Sequence, residues 1–196
     1  MKLAVVVGAT REGRQTPKQA KWVVNVSSEV EGVEAELVDL IDYPMPFFNE
    51  PISPRYNPNR VIEPAVKKWT DKLNSFDAYI FVTPEYNHSI PGVLKNSLDF
   101  LTTELLKKPA AVVSHGANGG ARAATDLKEI LSESKAAIIP APSSLSISGM
   151  SDIIDDEGNL AETVKANPYS PQVALTGLLE DLKWYSDALS KARESN

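Results

Sequence analysis

The chain of 196 residues contains no cysteine. Disulfides, thiolate catalysis and cysteine-ligated zinc are therefore excluded. Histidine is nearly absent as well: there are only two, His88 and His115. No further ligands are spaced around either to complete a metal site, so no bound metal is expected. Positive charge is in deficit, with a formal net charge of −6. A nucleic-acid partner needs clustered Lys and Arg facing phosphate, and none is expected here. A small anionic ligand stays open, because a local pocket can be basic on an acidic protein. No apolar run is long enough to span a bilayer, so no membrane partner is expected. Met1-Lys2 leads straight into a core-like strand without a signal-peptide pattern. The expectation is a cytoplasmic protein.

What is present is enough apolar sequence, 42% of residues, for one ordinary core, and the expected organisation is a single domain over 1–196. Leu3 to Val7 is an unbroken apolar run closed by Gly8, the pattern of a strand buried on both faces. Thr16-Pro17-Lys18-Gln19 predicts a helix start, with Thr16 as cap, Pro17 in the first turn and Gln19 completing a capping box. Glu34 to Asp39 alternates as a second strand, with Ala35, Leu37 and Leu40 inward. Asp77–Val82 and Pro109–Val113 are further buried strands, and Ala136–Pro140 with Ser144–Ile147 forms a last, interrupted one. Helical patterns run through Ala65–Leu73, Leu94/Leu98/Leu101, Ala124/Leu127/Ile130/Leu131 and Leu175 to Leu189. Strands alternating with helices about five times predict an α/β fold with a doubly wound parallel sheet. Five strands suit the flavodoxin-like order 2-1-3-4-5, with helices on both faces.

Two stretches stand apart. Pro44 to Pro64 holds six prolines and the pair Phe47-Phe48, so neither a regular helix nor an inner strand crosses it. Asp152 to Gly158 is acidic and is expected to be an exposed loop. It lacks the spacing and the terminal Glu of a calcium loop.

Ligands of an open parallel sheet bind beyond the carboxyl ends of its strands. Three loops leave such ends. Gly8 to Thr16 joins a strand to a helix N-terminus, where free N–H groups and the helix dipole favour an anion. Arg11 and Arg14 add forked donors, and Thr10 and Thr16 add hydroxyls, a set that suits a phosphomonoester. The loop is neither a P-loop nor a G-x-G-x-x-G fingerprint. The plain reading of each residue is a capped turn with solvated arginines. The second loop is Thr83-Pro84-Glu85-Tyr86-Asn87-His88-Ser89-Ile90-Pro91-Gly92. Its backbone can read the polar edge of a flat ring, with Tyr86 packing and Asn87 both donating and accepting. The third is Ser114-His115-Gly116-Ala117-Asn118-Gly119-Gly120, whose glycines let the backbone approach a ligand closely. Ser114-His115 lacks the G-x-S-x-G elbow of a hydrolase.

Taken together, the three loops resemble those of the NAD(P)H-dependent FMN reductase family. Thr83 to Phe100 matches that family's Pro-Glu-Tyr-Asn-x-Ser-x-Pro-Gly-x-Leu-Lys-Asn segment at nearly every position, with Phe100 where Trp is more frequent. Gly8 to Arg14 resembles its phosphate loop, with Ala9 where Ser is usual. Ser114 to Gly120 resembles its glycine loop. The resemblance implies a flavodoxin-like fold, bound FMN, and NADPH or NADH as co-substrate. It implies a small-molecule electron acceptor such as a quinone, azo compound, flavin or metal oxyanion. It implies a homodimer or homotetramer, for which Phe47, Phe48 and the helix after Pro91 are the candidate surface. The cofactor-binding residues it implies are Thr10, Arg11, Arg14, Thr16, Pro84, Glu85, Tyr86, Asn87, Ser114, His115, Gly116, Gly119 and Gly120. No side chain is nominated as a catalytic acid or base, because the cofactor carries the chemistry. The alternatives are an FMN-binding electron carrier or a sensor, both without nicotinamide turnover.

Overall fold

A computed structural model describes residues 1–57, 59–140, 144–149 and 153–195. Pro58 of the proline-rich segment and Asp152 at the head of the acidic stretch lie outside the described residues. The sheet is built from β1 (Lys2–Val7), β2 (Glu34–Asp39), β3 (Ala78–Pro84), β4 (Pro109–His115) and two short strands, β5 (Ala137–Ile138) and β6 (Ser144–Ile147). The order is β2-β1-β3-β4-β5, with β6 also paired to β4, and every pairing is parallel. The fifth position is thus shared by two pieces of one interrupted strand, β5 along Pro109–Ala110 and β6 along Val112–His115.

The central strands are buried on both faces, and their side chains alternate with period two between the two halves of the core. Leu3, Val5, Val7, Ile80, Val82, Ala111 and Val113 meet α1 (Thr16–Ser27) and α6 (Pro171–Glu194). Ala4, Val6, Tyr79, Phe81 and Val112 meet α2 (Pro64–Asn74), α3 (Gly92–Asp99) and α4 (Ala121–Glu133). Each such Val, Leu or Ile contributes roughly 1.5–3 kcal/mol by leaving water. Two buried donors are satisfied across elements: the Trp69 indole donates to the Ser97 carbonyl at 2.9 Å, and the Tyr79 hydroxyl donates to the Leu73 carbonyl at 2.7 Å.

The helix start differs from its expected form. The residue capping α1 is Gln15, without a side-chain cap bond, and Thr16 is already helical. The Thr16 hydroxyl has a distant partner instead, His115 Nε2 at 3.0 Å. The edge strand β2 also differs: Val38 is its deepest residue, with Leu40 buried just past its end, while Ala35 and Leu37 are half-buried against the opposite core.

The acidic stretch is exposed at Asp155, Asp156 and Glu157 but is docked on α1. Lys18 pairs with the Asp156 carboxylate at 2.6 Å, and Asn25 donates to the carbonyls of Glu157 and Gly158. Ile154 enters the core. A short helix, α5 (Glu162–Lys165), follows and leads into α6. Among the described residues no helix is long and apolar enough to cross a membrane.

Candidate functional site

The parallel register brings the carboxyl ends of β1, β3, β4 and β6 to one rim. Backbone bonds tie the loops there together. Gly8 N–H donates to the Val82 carbonyl at 2.8 Å, and Glu85 N–H donates to the His115 carbonyl at 2.9 Å. Between them lies a cavity of about 330 Å³ lined by Arg11, Arg14, Gln15, Gln19, Pro84, Glu85, Tyr86, His115, Gly116, Ala117 and Gly149. Its volume falls at the lower end of small-molecule pockets, roughly 300–1,000 Å³.

All three expected loops contribute, yet their residues divide by role. Arg14 is braced: one guanidinium nitrogen donates to the Ala9 carbonyl at 2.6 Å, and the other pairs with Asp39 at 2.7 Å. Both side chains of that pair are only 13% exposed. Burial raises the Asp39 carboxyl above the ordinary range, against the lowering pull of the Ile41 N–H and of Arg14. Arg11 is exposed and lies over the Tyr86 ring at 5.2 Å. Unlike Arg14, it pairs with no carboxylate among the described residues.

Glu85 caps a helix. Its carboxylate accepts from Arg122 N–H at 3.1 Å, with Ala123 N–H at 3.5 Å, at the start of α4, where the helix dipole favours negative charge. Tyr86 to Ser89 form a tight turn closed by two backbone bonds of 2.9 and 3.1 Å. Asn87 and His88 occupy its tip with φ of 49° and 69°, the paired positive values of a type I′ turn. Both are exposed, and neither lines the cavity.

In the glycine loop, the Ser114 hydroxyl donates to the Gly119 carbonyl at 2.9 Å and meets the Ser146 hydroxyl at 3.0 Å. Gly120 caps α4 at φ 74°, and a Cβ there would stand 2.7 Å from the His115 carbonyl. His115 lines the cavity while its ring meets Thr16. Burial pushes its pKa down to about 4, so the imidazole is neutral at pH 7. Thr10, Thr16, Asn87, Ser114, Gly119 and Gly120 do not line the cavity; the other seven expected residues do.

Sequence reasoning missed Gln15, Gln19, Ala117 and Gly149. Gln19 carried a signal: it stands on the same helical stripe as Thr16, Ala20 and Val23, a polar residue on a buried face. Its Oε1 is buried and has no hydrogen-bond partner among the described residues.

The two phenylalanines of the proline-rich segment part ways. Phe48 packs edge-on against Phe100 at 5.3 Å, and its N–H donates to Asn96 Oδ1 at 2.8 Å. Phe47 is 87% exposed.

The family model for NADPH-dependent FMN reductase matches residues 1–149. An NAD(P)H-dependent FMN reductase of Schizosaccharomyces pombe is 30% identical over 195 residues, covering 100% of this chain and 92% of that protein. A quinone reductase of Pseudomonas putida is 30% identical over 174 residues, covering 85% of this chain and 87% of its own. Among solved structures, FerB, a flavoenzyme NAD(P)H:(acceptor) oxidoreductase from Paracoccus denitrificans, superposes with a TM-score of 0.75. It covers 94% of this chain and 98% of its own at 24% identity, a likeness of fold. The sheet order, the rim cavity and the matched sequence agree: the chain belongs to the NADPH-dependent FMN reductase family and is a flavodoxin-like oxidoreductase that uses FMN and NAD(P)H.

Proposed function

We propose that residues 1–196 form a single FMN-binding domain that passes hydride from NADPH or NADH, by way of FMN, to a small electron acceptor: a quinone, an azo compound, a free flavin or a metal oxyanion. The observation that carries this reading is the rim cavity, with an uncommitted arginine at one side and Tyr86 and the glycine loop at the other. When bound, FMN supplies the chemistry of accepting hydride and releasing electrons.

The residues supply placement. Arg11 holds the phosphate, helped by N–H groups where the loop enters α1. Arg14 gives the loop its shape by holding the Ala9 carbonyl. A serine is usual at position 9, and here the backbone fixed by Arg14 does the positioning. Tyr86 and Gly116 flank the ring. Glu85 fixes their spacing by holding α4 to the ring loop. Thr16, Ser114, Gly119 and Gly120 brace the walls. His115 is neutral and brings no charge to the phosphate. No side chain is assigned a proton transfer.

The same reading places a second copy of the chain on the proline-rich segment, where Phe47, Tyr56 and Val61 are 87%, 78% and 96% exposed. A homodimer or homotetramer follows. The same reading puts the enzyme in the cytoplasm, one compartment that supplies reduced nicotinamide.

The test is a visible spectrum of the purified protein with added FMN, followed by NADPH and NADH oxidation with a quinone. Flavin uptake and quinone-dependent oxidation are expected. Absence of flavin uptake refutes the reading. Uptake without oxidation of either nicotinamide assigns the chain to electron carriage.

A further inference from the structure

Gln19 is the polar side chain of the cavity that the loops do not account for. It lies on α1, one turn beyond Thr16, and is only 2% exposed. Gln19 lines the cavity, yet among the described residues its buried Oε1 has no hydrogen-bond partner. An unpaired buried carbonyl is destabilising, and methionine or leucine would fill the same helical stripe without that cost. The oxygen needs a donor. A phosphate dianion can only accept, so it suits the carboxamide in one orientation alone, with the amide N–H turned toward it. A hydroxyl both donates and accepts. It can therefore meet the carboxamide in either orientation about the Cγ–Cδ bond.

Position narrows the choice. Thr16 touches His115, near the start of the glycine loop, at 3.0 Å. Gln19 thus belongs to the wall joining the phosphate loop to the glycine loop, alongside the middle of any ligand that spans both. In FMN that middle is the ribityl chain. Resting on the flavin reading above, we propose that Gln19 reads the ribityl group of FMN, its carboxamide hydrogen-bonding one of the chain's hydroxyls. The polar residue is kept on a buried stripe because the contact is made only with the cofactor in place.

The test uses Gln19→Met, close in shape but without the amide. The readouts are the melting temperature of the flavin-free protein and affinity for FMN by fluorescence quenching. The 2′-, 3′- and 4′-deoxyribityl analogues of FMN are titrated in parallel. Expected are an unchanged or raised melting temperature and an FMN affinity about three- to tenfold weaker. Wild type should lose a similar factor with one of the three analogues, and Gln19→Met should lose nothing further with that one. A lowered melting temperature or an unfolded variant overturns the inference, since the amide would then be holding the flavin-free protein together. So does FMN affinity equal to wild type, or equal losses for both proteins on every analogue. A wild-type chain that takes up no FMN overturns the flavin reading itself and this inference with it. Uptake by wild type matched by the variant overturns this inference alone.

Discussion

The two arginines of the phosphate loop offer a crossed experiment, because the structure gives them different work. Arg14→Ala removes the 2.6 Å bond to the Ala9 carbonyl and the 2.7 Å pair with Asp39. A charge-assisted hydrogen bond contributes about 1.5–3 kcal/mol, whereas a solvent-exposed ion pair gives about 0–1. At 13% exposure on each side the pair falls between these limits. Asp39 keeps its bond from Ile41 N–H, which softens the loss. The net cost is about 2–3 kcal/mol, or a melting temperature lowered by about 5–10 °C in a domain of this size. Arg11→Ala removes only an exposed contact with Tyr86, worth about 0.5–1 kcal/mol. Its melting temperature should therefore fall by at most about 4 °C. FMN affinity should fall by about 1.5–3 kcal/mol, roughly 10- to 150-fold. The assays are thermal unfolding of flavin-free protein by circular dichroism and FMN titration by fluorescence quenching. Asp39→Asn serves as control: it should reproduce part of the Arg14→Ala destabilisation, and the double variant should lose less than the two singles summed. The reasoning is refuted if Arg14→Ala keeps the wild-type melting temperature and loses FMN affinity as Arg11→Ala does. Arg14 would then be an anion ligand and its pair with Asp39 incidental.

Three further outcomes are expected. His115 has a folded pKa of about 4, below the ordinary 6.5, so the unfolded chain binds the extra proton first. Its contribution is complete above about pH 6.5 and is lost as pH falls toward 4, up to about 3 kcal/mol in all. Chemical unfolding across that window should show this slope in wild type and a flatter one in His115→Gln. Gly120→Ala should cost about 3 kcal/mol or more, because a left-handed residue there also meets the His115 backbone at 2.7 Å. Gly13→Ala, also left-handed but with nothing within 4 Å, should cost only about 1–2 kcal/mol, and urea unfolding compares the two. Phe47→Asp should shift the chain toward monomer by analytical ultracentrifugation without lowering its melting temperature as monomer, since Phe47 is 87% exposed.

What the sequence carried and what it hid divide along a physical line. The strands were legible because burial on both faces writes itself as unbroken apolar runs, as in Leu3–Val7 and Ala78–Val82. The three loops were legible because a strand end, a turn and a helix start follow one another in the chain, so their chemistry is local. Hidden were the partners contributed from far along the chain. Thr16 reads as a helix cap by every local rule, but its hydroxyl meets a histidine 99 residues away. Arg11 and Arg14 look equivalent until the end of β2 places Asp39 beside one of them. Glu85 reads as a ring contact, and only the packing of α4 against β3 and β4 turns its carboxylate toward the N–H of Arg122. In each case a polar side chain that sequence leaves free makes a bond within the protein. On the proposed reading, a loop with fewer free donors than its composition suggests leaves more of the phosphate contact to Arg11. Loss of that one side chain should therefore weaken FMN far more than loss of any bracing residue that leaves the fold intact.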